Sequence, residues 1–94
     1  MKPSPSRRRP RYIVVTYAPA RQGIRHAIAR VSWRIGPPKL IEASEGVGIV
    51  RTWHLDTQEM IQRLNSIEGL RTMKTSGTLR KAREIAQRMR AAHI

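Results

Sequence analysis

Residues 12–17, Tyr-Ile-Val-Val-Thr-Tyr, are apolar on both faces of an extended chain, and this restricts the fold more than any other feature. β-Branched and aromatic residues favour a strand, in which successive side chains leave opposite sides. Ile13 and Val15 then occupy one side and Tyr12 and Val14 the other. Such a strand is expected at the centre of a sheet with cover above and below, closed by Pro19. The 94 residues make one domain. A chain of that size withdraws only roughly 60–70% of its unfolded surface from water, so the cover must come from short elements around a thin, contiguous core.

The rest of the chain supplies those elements. Ile24, Ala27, Ile28, Val31 and Ile35 recur at helical spacing, which predicts a helix over 21–35 with Arg21 and Arg25 on one flank and Arg30 and Arg34 on the other. Gly36-Pro37-Pro38 stops it. Residues 39–43 and 47–54 read as two strands joined by Ser44-Glu45-Gly46, with Gly46 free to take a positive φ. Gly48 inside the second of these marks a bulge or a close backbone approach. Asp56-Thr57-Gln58-Glu59 has the form of a capping box, and Met60, Ile61, Leu64 and Ile67 give the following helix its buried stripe. After Glu68-Gly69, residues 70–75 return as a fourth strand, and a last helix runs from Thr78 to about Ala92 with Leu79, Ala82, Ile85, Ala86 and Met89 on one side. This order is that of an α+β, ferredoxin-like (RNA-recognition-like) βαββαβ sandwich with an extra C-terminal helix. The extra helix is expected over the sheet face that the first two leave bare. Residues 1–11, with three prolines, two serines and five cations, are expected as a basic disordered arm, and residues 12–94 as the single domain.

Charge points to the partner. Nineteen Lys and Arg against six Asp and Glu give a formal net charge of +13, which repels the compact state from itself unless an anion neutralises it. Fifteen of those cations are arginine, whose guanidinium forks grip phosphate oxygens in pairs and stack on bases. Lys74-Thr75-Ser76-Gly77-Thr78 ends one strand and opens a helix that carries Arg80, Lys81, Arg83, Arg88 and Arg90. A helix start presents unpaired N–H groups and a positive dipole end, which suits a phosphate. Ser or Thr before a helix is more commonly a cap, and the two roles are compatible. The expected RNA-binding residues are Arg7, Arg8, Arg9 and Arg11 of the arm, Arg51, and Lys74, Ser76, Gly77, Thr78, Arg80, Lys81 and Arg83. With no Phe, and only Tyr12, Tyr17, Trp33 and Trp53 as aromatics, contact is expected through phosphates and RNA shape more than base identity.

Independent catalysis has little to stand on. Glu42, Glu45, Asp56, Glu59, Glu68 and Glu84 form no pair spaced for acid–base work, and His26, His54 and His93 match no metal motif. His54 beside Asp56 is the nearest approach to a catalytic pair, and a strand end followed by a helix cap accounts for it. The absence of cysteine removes thiolate chemistry and agrees with a reducing, cytoplasmic setting. No apolar run reaches membrane-spanning length, so no membrane partner is expected.

Three segments carry a family resemblance: Arg9-Pro10-Arg11-Tyr12-Ile13-Val14-Val15, Glu45-Gly46-Val47-Gly48-Ile49-Val50-Arg51 and Thr75-Ser76-Gly77-Thr78-Leu79-Arg80-Lys81-Ala82. In order and approximate spacing they resemble the ribonuclease P protein component 2 family of archaeal and eukaryotic subunits. The resemblance implies a non-catalytic, RNA-binding subunit of this endoribonuclease, which assists ribonuclease P RNA in removing the 5′ leader of precursor tRNA. It implies work alongside ribonuclease P protein component 3, a barrel-like subunit, and allows a dimer of heterodimers. Ser76, Gly77, Thr78, Arg80 and Lys81 would face RNA, with Arg51 near it. Cleavage would rest with Mg2+ on the catalytic RNA, with no cofactor bound by the protein. The chain departs from the family in having a single helix before Gly36-Pro37-Pro38, which would reduce or alter the surface for the partner subunit. The alternative readings are another small basic ribonucleoprotein subunit such as a ribosomal protein, or an architectural DNA-binding protein.

Overall fold

The computed structural model describes residues 9–17, 24, 28 and 38–92. Four strands, β1 (Pro10–Tyr17), β2 (Lys39–Ser44), β3 (Val47–Trp53) and β4 (Leu70–Ser76), form one antiparallel sheet in the order β2-β3-β1-β4. Helix α1 (Thr57–Asn65) lies between β3 and β4, and α2 (Leu79–Ala92) follows β4. Ile24 and Ile28, between β1 and β2, are helical, as their spacing predicts. The remainder of the helix expected over 21–35, and residues 1–8 with Arg7 and Arg8, lie outside the described residues.

The two-faced strand sits where its composition requires. β1 has β3 on one side and β4 on the other, and Ile13, Val14 and Val15 are fully buried. On one face Ile13 and Val15 join Ile24, Ile28, Val50, Met60, Leu64 and Leu70. On the other, Val14 joins Val47, Ile49, Ala82 and Ala86, with Tyr12, Ile41, Leu79, Ile85 and Met89 packed around them. The sheet is therefore covered twice, by α1 and the helical residues Ile24 and Ile28 on one side and by α2 on the other. The C-terminal helix closes the bare face with the five residues that its periodicity singles out. Ala82 and Ala86, both with no exposed surface, let its backbone come close to the β1 and β3 side chains.

Details at the strand ends differ from the sequence reading. β1 starts at Pro10, so Arg9, Pro10 and Arg11 belong to the folded domain and not to the arm. Arg9 N–H donates to His54 Nδ1 at 3.1 Å, and Arg9 C=O accepts from His54 N–H at 2.8 Å, extending the β1–β3 pairing by one residue. The capping box also fails to form. Asp56 makes no side-chain cap bond, because a 3-10 turn over His54–Asp56 feeds α1 and leaves Asp56 at φ −100, ψ 1, away from the extended backbone an N-cap acceptor adopts. Thr57 Oγ1 instead donates to Trp53 C=O at 3.2 Å.

The hairpin between β2 and β3 is tighter than expected. Only Glu45 and Gly46 form the loop, both at positive φ (54 and 80), the geometry of a primed two-residue turn that matches strand twist. The register of β2 slips between Leu40 and Glu42, opposite Val50 and Ile49. This bulge turns both Ile41 and Glu42 toward α2: Ile41 packs in its apolar cluster and Glu42 pairs with its arginines. Gly48 meets the expectation of close approach. A Cβ there would stand 3.3 Å from both the Glu42 carbonyl oxygen and Ile24 Cδ1.

Candidate nucleic-acid interface

The strand registers bring the N-terminal end of β1, the C-terminal ends of β3 and β4 and the start of β2 to one end of the sheet. Lys39 lies opposite Arg51, Arg51 opposite Tyr12, and Tyr12 opposite Ser76. Residues directly opposite in antiparallel pairs share a face, so this row crosses all four strands on the side that α2 covers. α2 begins two residues beyond Gly77, its Leu79 and the Tyr12 side chain pack against the same apolar cluster, and Arg51 is half-buried and Lys39 exposed. One step further out, Trp53 lies opposite Pro10. The Arg51 guanidinium sits over the Trp53 ring, 5.2 Å from its centroid, a cation–π contact of roughly 0.5–1 kcal/mol at such a site.

The turn into α2 is a hydrogen-bonded unit. Ser76 Oγ accepts from Thr78 N–H at 3.2 Å, and Thr78 Oγ1 accepts from Lys81 N–H at 3.3 Å. Thr78 is therefore a true N-cap, which holds the helix start rigid and aims Arg80 and Lys81 outward. Gly77 is exposed, and a Cβ on it would stand 3.2 Å from Arg11 Nη1. This brings Arg11, read as part of a loose arm, directly against the turn. Lys74, opposite Val14, shares the α2 side of β4 and is exposed.

Ion pairing separates the cations into two groups. Arg83 pairs with Glu42 at 2.9 Å, Arg90 with the same carboxylate at 3.6 Å, and Arg63 with Glu59 at 3.8 Å. Arg90 also donates to the carbonyls of Ser44 and Val47, so it bolts α2 to the hairpin. Arg83, one of the residues expected to bind RNA, is exposed and is held by a carboxylate that the β2 bulge delivers. Arg9, Arg11, Arg51, Lys74, Arg80 and Lys81 have no carboxylate partner among the described residues. None of the six acidic residues falls in the row from Lys39 to Ser76.

The His54 ring is tied to the end of β1, its Nδ1 accepting from the Arg9 N–H. Among the described residues no group of three or more His, Asp or Glu is arranged to hold a metal. No helix among them is long and apolar enough to cross a membrane. Sequence reasoning missed Lys39 as a member of the row and the Arg51–Trp53 contact. The two-residue spacing of Arg51 and Trp53, which puts both on one strand face, was the available signal.

No protein-family model, curated protein or solved structure matches the chain.

Proposed function

We propose that the protein is an RNA-binding, non-catalytic subunit of ribonuclease P that presents one end of its sheet to RNA phosphates. The observation that carries RNA binding is the group of cations without carboxylate partners, Arg11, Arg51, Arg80 and Lys81, gathered around a capped helix start and an exposed glycine. Phosphates approach such a turn closely, since Gly77 has no side chain and the N–H groups of the helix start lie beside it. The assignment to ribonuclease P is supported by the three family-like segments, each of which contributes to this end: the first brings Arg9 and Arg11, the second Arg51, and the third the turn with Arg80 and Lys81. The strand order and the helices packed on the sheet support a ferredoxin-like arrangement.

In this reading the protein performs no bond-breaking step. It neutralises closely spaced phosphates so that the catalytic RNA folds and holds precursor tRNA at lower Mg2+. Arg83, whose charge Glu42 already offsets, contributes less to RNA binding than Arg80 and Lys81. Purified protein should raise cleavage of precursor tRNA by its cognate RNA at low Mg2+, because protein cations replace screening ions. Absence of stimulation, both alone and with ribonuclease P protein component 3, would overturn the assignment. Co-purification of ribosomal subunits in place of one medium-sized RNA would favour a ribosomal protein, and equal affinity for duplex DNA and structured RNA an architectural DNA binder.

A further inference from the structure

Arg51 and Trp53 do more than add charge to the interface. An arginine that only screens phosphates gains nothing from a fixed orientation, whereas here the guanidinium lies over an indole 5.2 Å from its centroid. The contact restrains the guanidinium over the ring, and a planar guanidinium has a second face on which a base can stack. The pair stands at the sheet end, on the α2 side and short of the helix, with Tyr12 and the Ser76–Thr78 turn beside it in the row. Lys39 flanks Arg51 on the opposite side.

We infer that the Arg51–Trp53 pair is the seat for one unpaired nucleobase, which stacks on the guanidinium face turned away from the ring. The inference rests on the RNA-binding reading and makes it more specific: the RNA segment held here is single-stranded, a loop or bulge, and not the side of a helix. A base inside a duplex is covered by its neighbours and cannot stack on a side chain; an unpaired one can. The seat reads a π-face, so it takes any of the four bases.

The test compares a hairpin RNA with a single-stranded loop against a fully paired RNA of equal charge, by fluorescence anisotropy at several salt concentrations. The intact protein should prefer the loop RNA. Trp53→Leu should weaken loop binding about tenfold, the order of one lost stacking contact, with the duplex affinity and salt slope held, and Arg51→Lys should weaken loop binding by a similar factor. Trp53→Phe, which keeps a ring, should retain most of the preference. Thermal melts of the variants check that each is folded. If folded Arg51→Lys and Trp53→Leu proteins keep the loop preference, or lose loop and duplex affinity equally, the seat is overturned while RNA binding stands. Failure of the intact protein to bind either RNA would overturn both readings.

Discussion

At the residue scale, two arginines seven residues apart, about two helical turns, serve different masters. Arg90 is largely sheltered and anchored three times, to Glu42 and to the carbonyls of Ser44 and Val47, whereas Arg83 holds Glu42 from an exposed position. Exposed ion pairs contribute at most about 1 kcal/mol, while hydrogen bonds from a charged group to backbone carbonyls contribute more. Arg90→Ala should therefore cost about 1–3 kcal/mol in chemical denaturation, and Arg83→Ala less than about 1 kcal/mol. Gly48 presents a similar contrast with Gly77. A side chain at 48 runs into the Glu42 carbonyl and Ile24, so Gly48→Val should destabilise the fold by about 1–3 kcal/mol, read as a lower denaturation midpoint. At Gly77 the neighbour is the flexible end of Arg11, so Gly77→Ala should leave stability nearly unchanged and weaken RNA binding.

At the element scale, α2 decides whether the sheet is a stable one. An isolated fourteen-residue helix is marginal in water, and its formation depends on the apolar face it buries. That face is built around two alanines in full contact with the sheet. Enlarging one of them would lift the helix off β1 and β3: Ala86→Leu should cost about 1–3 kcal/mol by denaturation, despite leucine's good helix propensity. Edge strands carry their own safeguards. Asn65 of α1 bonds the Thr72 backbone N–H at 3.0 Å and its hydroxyl at 3.1 Å, and β4 slips register between Thr72 and Lys74. On the far edge β2 has its bulge. Interrupted ladders of this kind make poor templates for pairing with another strand.

At the scale of the whole molecule, the surplus of positive charge divides by location more than by residue type. Arginines facing the hairpin find Glu42, while those at the opposite end of the sheet have no carboxylate partner among the described residues. Substituting both Arg80 and Lys81 with alanine should lower the slope of log affinity against log salt by about 1.4–1.8, since each phosphate-neutralising cation contributes about 0.7–0.9. Arg83→Ala should leave that slope nearly as it is. Much of this was legible in the chain alone. The two apolar faces of residues 12–17 required a central, doubly covered strand, and helical periodicity named Leu79, Ala82, Ile85, Ala86 and Met89 as the residues that dock, because both are local consequences of backbone repeat and burial. Ser44-Glu45-Gly46 announced the hairpin, though one residue longer than the turn that forms, and Ser76-Gly77-Thr78 the helix start. What local pattern could not supply was anything that depends on register: the bulge that hands Glu42 to Arg83, the fixing of Arg9 and Arg11 at the end of β1, the membership of Lys39 in the row, and the loss of the capping box to a 3-10 turn. Those follow from which strand pairs with which and at what offset, a choice made by the whole core at once. Composition and residue pattern thus determined that the protein would be a small, strongly cationic α+β domain, and only the tertiary structure decided which of its described cations hold a carboxylate of the same chain and which do not.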